Sequence, residues 1–425
     1  MKIPTICIVA ALSAATVAAQ APPRLDSLVL TRAAAVAAAL ANNPPLDVAR
    51  EQTAAARARQ VQAVSIPDPT FTYSYDNQTR FLGLGTAANR NAVVTLLVPF
   101  PNRFALRNRI GAADVHSAEY SYTGLRQQLA SQTSSSYDTL LAAYRHREIF
   151  LTSRGLAQDF LKKTQARFDG GTAAKLDVVR AQVAVAQAEN QLIGAERDIQ
   201  TASNTLDRFI GRPVGTPVAT RDSLSIPPTL PELELLEQAA LTGRSELGGL
   251  ASQQEGAKAA TSLAKQFWVP DFTLSAQKDF AADSGSALFA AGITMPFPIF
   301  FWQHAKGEIA QNQHRERELA AAYRDLRAQV SQDVRSSYAG ADAALRQALF
   351  IRDALLPSVR EAYRVASVSY GLGGSSALEV LAARTDLLNA ETQYTDALTA
   401  ANSARADLER AAATPLTRFG PRRTP

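Results

Sequence analysis

"RFDGGTAAKLDVVRAQ" (residues 167–182) sets a glycine pair, Gly170-Gly171, inside a region that otherwise reads as one very long helix. "SYGLGGSSALEVLAAR" (residues 369–384) says nearly the same thing again, around Gly373-Gly374. Glycine reaches the positive-φ conformations that a tight helix–helix turn requires. Each stretch therefore predicts the tip of a helical hairpin. The flanking residues match as well: Phe168 with Tyr370, Leu176 with Leu378, Asp177 with Glu379, Glu189 with Glu391 and Gln191 with Gln393, each pair 202 positions apart.

Upstream, "IPDPTFTYSYD" (66–76) answers "VPDFTLSAQKD" (269–279), and "VPFP" (98–101) answers "MPFP" (295–298). The three blocks keep their order in both halves, and the offsets drift only as loops of unequal length would make them. This is a tandem duplication. Each half opens with a helical stretch, 32–63 with a Pro-Pro step at 44–45, and 231–266. A Pro-Asp ends it. Two β-patterned runs follow, 70–76 and 91–98 in the first half, 272–279 and 286–295 in the second. The loops between them, 77–90 and 280–285, are rich in Gly, Asn, Asp and Ser, as hairpin loops are. A long helical run then leads to the glycine tip, and a second helix of about 35 residues closes the half. Between Asn102 and Arg212 there is no proline, so Gly170-Gly171 is the only break expected there. Residues 103–168 and 303–368 would each span ~100 Å as helix, and two shorter helices laid end to end match that length. Gly155 aligns with Pro357, and each is expected to weaken the long helix at one place.

The 425-residue chain is 46% hydrophobic, only 7% aromatic and 20% charged, which suits long helices packed through small residues. The net charge of +5 is spread in both signs along helices, so no nucleic-acid partner is implied. Residues 1–21 read as a signal peptide: Lys2, an apolar run, then small residues before "QAPP". The single cysteine, Cys7, lies inside that run, which leaves no disulfide and no cysteine metal site. No run is long and apolar enough for a membrane-crossing helix. The division expected is a signal peptide (1–21), a first repeat (22–215), a linker (216–230), a second repeat (231–413) and a flexible C-terminal tail (414–425).

Four strands cannot close a barrel, and a bilayer does not tolerate open edges. Strands of this length suit a tilted membrane strand, and three chains would supply twelve. The alternative is a periplasmic structural coiled-coil protein without a channel, its small sheet capping the helices.

The duplicated plan resembles the TolC-like outer-membrane efflux channels over roughly residues 25–413. The carrying motifs are "FDGGTAAKLDV" and "YGLGGSSALEV", the "PDP" and "PDF" strand starts, and "MPFPIFFWQHAKGEIAQNQ" (295–313), the last more like the heavy-metal-efflux branch. The resemblance implies a mostly α protein with a membrane β part. It implies a homotrimer with a 12-stranded β-barrel in outer-membrane lipid, continued by an α-helical barrel across the periplasm. Its partners would be a periplasmic adaptor (membrane fusion) protein and an inner-membrane efflux pump. It would act as a passive exit duct for small molecules or metal ions, and not as an enzyme. Gly170, Gly171, Gly373 and Gly374 would form the periplasmic hairpin tips. Glu379 and Asp177 would stand at the pore constriction, Glu379 as a ring of three carboxylates, with Ala382 where a second acid would fall. Tyr370 and Asp177 resemble two members of a closed-state Tyr–Asp–Arg latch, with Ser375 where the Arg would stand. Dipole compensation at a helix start is the plainer reading of both acids, and packing that of Tyr370 and Phe168. His116, His146, His304 and His314 lack metal-ligand spacing, and no cofactor or metal is implied.

Overall fold

The computed structural model describes residues 28–76, 89–281, 287–297 and 299–419. The expected signal peptide lies outside them, as do most of the two hairpin loops. A short strand, β1 (Leu28–Leu30), leads into α1 (Arg32–Asn42), whose first turn is capped by the Thr31 hydroxyl accepting from the Ala34 N–H. The Pro-Pro step starts a new helix, α2 (Pro44–Ala63), with proline in the first turn, where no N–H is needed. The hairpin β2 (Thr70–Asp76) and β3 (Asn89–Val98) follows. Then come the 69-residue α3 (Pro101–Asp169) and, past the glycine tip, α4 (Lys175–Phe209). Within the expected linker, β4 (Val218–Thr220) pairs in parallel with β1.

The second half repeats the order as α5 (Leu233–Gly243), α6 (Ser245–Ala264), β5 (Phe272–Ala281), β6 (Ala287–Thr294), α7 (Phe301–Phe350), α8 (Leu356–Leu372) and α9 (Ala377–Ala411). Two details depart from expectation. The stretch 231–266 is broken at Arg244, where no proline marks it. Arg244 leaves the helical region (ψ 118°) and buries its guanidinium against the Ala411 carbonyl and Asp333, each at 3.3 Å. Further on, α3 runs straight through Gly155, whereas α7 passes into α8 by one wide turn, Ile351–Leu355, in which the Leu356 N–H reaches back to the Ile351 carbonyl. Pro357 follows at once. Its ring opposes the carbonyl four residues back, and an inserted residue relieves that clash. The weak point is therefore present in one half only. In the stretch expected as a flexible tail, Leu416 is buried beside Leu408, and residues 416–418 form a short 3-10 turn.

Helix α3 is ~104 Å long. It carries α1 and α2 along its first part and α4 along the rest. Alanines 157, 181, 184, 188 and 195 are buried, which lets backbones approach closely. Two similar cores result, one around Leu46, Tyr137, Leu140 and Leu206, the other around Leu236, Val330, Val334 and Leu408. Gly211 (φ +71°) closes α4, and Ala413 (φ +52°), 202 positions on, closes α9 in the same left-handed conformation.

The strands form one antiparallel sheet in the order β2-β3-β5-β6. Its register sorts side chains by face. Phe71 and Tyr73 stand level with Val94 and Ala92, then Ala276 and Lys278, then Ala291 and Phe289. That face also holds Tyr75, Leu96, Phe272, Leu274, Phe280 and Ile293, and many of these are exposed, Phe289 at 77% and Ile293 at 71%. The other face holds Thr70, Thr72, Ser74, Asn91, Thr95, Thr273, Ser275, Gln277, Asp279 and Thr294, with Val93, Leu97 and Leu288 as its large apolar members. Among the described residues, the outer edges of β2 and β6 have no partner strand.

Candidate functional site

The two tips are built by the same bonds. In the first, the Gly171 N–H donates to the Phe168 carbonyl (2.9 Å) and the Thr172 N–H to the Arg167 carbonyl (2.8 Å). In the second, the Gly373 N–H donates to the Tyr370 carbonyl (3.1 Å) and the Gly374 N–H to the Ser369 carbonyl (2.8 Å). Gly171 (φ +73°) and Gly373 (φ +85°), 202 positions apart, are the left-handed residues. Gly170, at φ −81°, is an ordinary helix end. One glycine per tip meets the conformational demand; the other member of each pair does not.

The returning helices start differently. Helix α4 has no side-chain cap at Ala174, and half-buried Asp177 pairs with Arg180 one turn along at 3.6 Å. Helix α9 begins with a capping box. The Ser376 hydroxyl accepts from the Glu379 N–H (3.3 Å), and the exposed Glu379 carboxylate accepts from the Ser376 N–H (2.9 Å). Glu379 thus has a local task at the helix start, whatever else its charge does.

Tyr370 is buried at 3% exposure, in a cluster of Phe160, Ala181, Ala377 and Val380 that joins the first hairpin to the second. Its hydroxyl donates to Thr164 Oγ1 at 3.2 Å, and Phe160 lies 5.2 Å away, ring to ring. The Arg167 guanidinium sits 4.5 Å over the Tyr370 ring and donates to the Tyr370 carbonyl and to the Thr172 carbonyl. Within the chain, Tyr370 and Asp177 are not brought together as the two latch members. The tyrosine hydroxyl goes to a threonine and not to Asp177, and the cation comes from the last turn of α3 and not from position 375. A second tie lies nearby. Buried Arg384 of α9 donates to the Ser153 carbonyl and hydroxyl of α3 at 3.2 and 3.3 Å, and among the described residues it has no ion pair with a carboxylate. Burial pulls its pKa down from the ordinary arginine value, and burial pushes the neighbouring Tyr363 hydroxyl up.

Arg167, Thr164 and Arg384 were not singled out by the sequence. Arg167 aligns with Ser369 across the duplication, so comparing the repeats passes over it. Among the described residues no cluster of metal-ligating side chains exists, and His116 and His146 each face a single carboxylate, Glu119 and Asp396. No helix among them is long and apolar enough to cross a membrane.

The family model described as "Outer membrane efflux protein" matches residues 35–212 and again 236–414. The chain is 22% identical over 376 residues to the cobalt-zinc-cadmium resistance protein CzcC of Cupriavidus metallidurans, covering 88% of this chain and 87% of that one. It is 27% identical over 294 residues to the pyoverdine export outer membrane protein OpmQ of Pseudomonas aeruginosa, covering 67% and 60%. Its fold is that of the outer-membrane channel OprN, at a TM-score of 0.78 and 17% identity over 91% of this chain and 90% of that one.

Proposed function

The chain belongs to the outer membrane efflux protein family: it is an efflux channel of the outer membrane, and we propose that three copies build it, each giving four strands to a 12-stranded barrel and its helices to a periplasmic tunnel. The observation that carries this reading is the sheet. Its aromatic and aliphatic face suits lipid, its Thr/Ser/Asn/Gln face suits a water-filled lumen, and its β2 and β6 edges need partners that only another copy can supply. The two repeats, 22–215 and 231–413, would each supply one strand hairpin and one helical hairpin.

In this reading the channel is narrowest at the helical tips, which also meet the adaptor protein and through it the pump. Glu379 and Asp177 would line the constriction. Tyr370, held by Arg167, would keep the second hairpin against the first in the closed state, and opening would part them. Export is passive, without chemistry on the cargo. The matched length of CzcC and the resemblance of residues 295–313 support metal ions as cargo over small organic molecules. Extraction tests the assembly. The protein is expected to leave the membrane fraction only with detergent and to run as a trimer. A monodisperse monomer in plain buffer would point instead to the coiled-coil alternative.

A further inference from the structure

Two cations stand on the apolar face of the sheet. Arg90 of β3 is level with Phe280 of β5 and Tyr75 of β2, and Lys278 of β5 is level with Ala92 and Phe289. They occupy adjacent strands and differ by two positions in register, so they are diagonal neighbours, ~7 Å apart at the backbone. Among the described residues neither takes part in an ion pair. The adjacent acid, Asp279, lies on the polar face and accepts from Gln277 there. Lys278 is held in place by two rings, with Nζ 4.8 Å from the Phe280 centroid and 5.2 Å from that of Phe289.

Height decides what these charges meet. Phe272 marks the helix end of the face, and exposed Trp268, Phe297 and Phe300 lie in the segments that join the strands to the helices. Lys278 and Arg90 stand six and eight register steps beyond Phe272. At ~3.4 Å per residue and a strand tilt of ~40°, that is ~16 and ~21 Å along the membrane normal. The apolar band of such barrels is about 25 Å tall, so Arg90 stands close to the far interface, the outer leaflet, while the Lys278 backbone lies beyond mid-band and its ammonium, 4.8 Å from the Phe280 ring, extends toward the same end. A cation is costly at mid-bilayer and nearly free at the interface, where long side chains extend toward headgroups. At the helix end, by contrast, Arg103 is neutralised by Asp271 (2.9 Å) and also donates to the Val269 carbonyl.

We propose that Arg90 and Lys278 form a phosphate-binding pair on the outside of the channel, which takes the phosphate of a phosphorylated glycolipid in the outer leaflet. The arginine fork would take two phosphate oxygens, and the ring-steered ammonium a third. Tyr75 and Phe280 would lie against the sugar and the upper acyl chains. This rests on the barrel reading, since it needs the apolar face in lipid.

The test is native mass spectrometry of the full-length protein in detergent, titrated with bis-phosphorylated lipid A. Its dephosphorylated form, phosphatidylglycerol and inorganic phosphate serve as comparisons. Arg90→Gln/Lys278→Gln should lower lipid A occupancy about tenfold or more, leaving trimer mass and conductance unchanged. Arg90→Lys/Lys278→Arg, which keeps both charges, should largely restore it, and this pair of variants still decides the matter if the Gln variant assembles poorly. Equal occupancy in wild type and Gln variant overturns the pair, as does equal loss of phosphatidylglycerol, which is not selective for the outer leaflet. A protein that stays in plain buffer and carries no lipid at all would remove the barrel reading itself, a different failure.

Discussion

Arg167 is the residue through which the proposed closed state is best attacked. Its guanidinium lies 4.5 Å over the Tyr370 ring and bonds the Tyr370 carbonyl, joining α3 of the first hairpin to α8 of the second. Arg167→Gln removes a partly exposed cation–π contact worth about 1 kcal/mol. It also removes a charge-assisted hydrogen bond of about 1.5–3 kcal/mol. The Tyr370 carbonyl keeps the Gly373 N–H, so nothing is orphaned and the lower end applies. Screening at a half-buried site lowers the sum further, to about 2 kcal/mol per copy. Three copies that open together would then shift the closed–open balance by about 6 kcal/mol, roughly four decades. Tyr370→Phe deletes only the hydroxyl. Thr164 keeps its own bond to the Phe160 carbonyl at 2.8 Å, so the loss is about 1 kcal/mol per copy and roughly two decades in all. Lys175→Gln is the control. Lys175 sits 5.3 Å from the Phe168 ring, the same chemistry kept within the first hairpin, and it should change nothing. Open probability in planar bilayers reads the three variants. If Arg167→Gln behaves as Lys175→Gln does, or Tyr370→Phe opens the channel more than Arg167→Gln, the contact packs the tips and does not hold them shut.

The tips and the proposed acid ring give two further tests. Gly171→Ala and Gly373→Ala should each cost about 1 kcal/mol per copy through the left-handed backbone, while Gly170→Ala, with ordinary φ and its nearest neighbour 3.4 Å from the new Cβ, should be neutral; thermal unfolding that ranks them the other way would contradict the turn geometry. Glu379→Gln keeps the capping box and loses at most about 0.3–1 kcal/mol of helix-end charge, yet should abolish cation preference in reversal-potential measurements, with Asp177→Asn as the comparison; an unchanged reversal potential would leave Glu379 a cap alone.

The plan of the fold was legible because it is periodic and said twice. Proline-free helical runs, the Pro-Pro step, the alternating Phe71, Tyr73 and Tyr75 and the glycine tips are all local signals, and the helices and strands fall within a few residues of where those signals put them. The break at Arg244 carries only a faint local signal, Gly243 at the end of α5, and the guanidinium buried against α7 and α9, which no local pattern announces, ties it down. The wide turn at Ile351–Leu355 was half legible: Pro357 announces a weak point, but nothing local says that Gly155 would be absorbed without one.

The candidate site was hardest to read for a reason the duplication itself supplies. Aligning the halves picks out what they share, and shared positions build the framework that both need. The cations that tie the hairpins together lie where the halves differ: Arg167 stands opposite Ser369, and Arg384 opposite Gln182. Their partners are far off in the chain, Arg167 with Tyr370 and Arg384 with Ser153, so no periodicity links them. Two identical hairpins would give the proposed trimer no reason to move one rather than the other. Here the second has its own capping box and a wide turn above Pro357, and the first is one unbroken helix up to its tip. A wide turn is a place where a helix can bend without breaking its ladder elsewhere. Within the proposed mechanism that favours the second hairpin as the moving part, swinging from Ile351–Leu355 once Arg167 and Arg384 release it, with the first as the fixed wall.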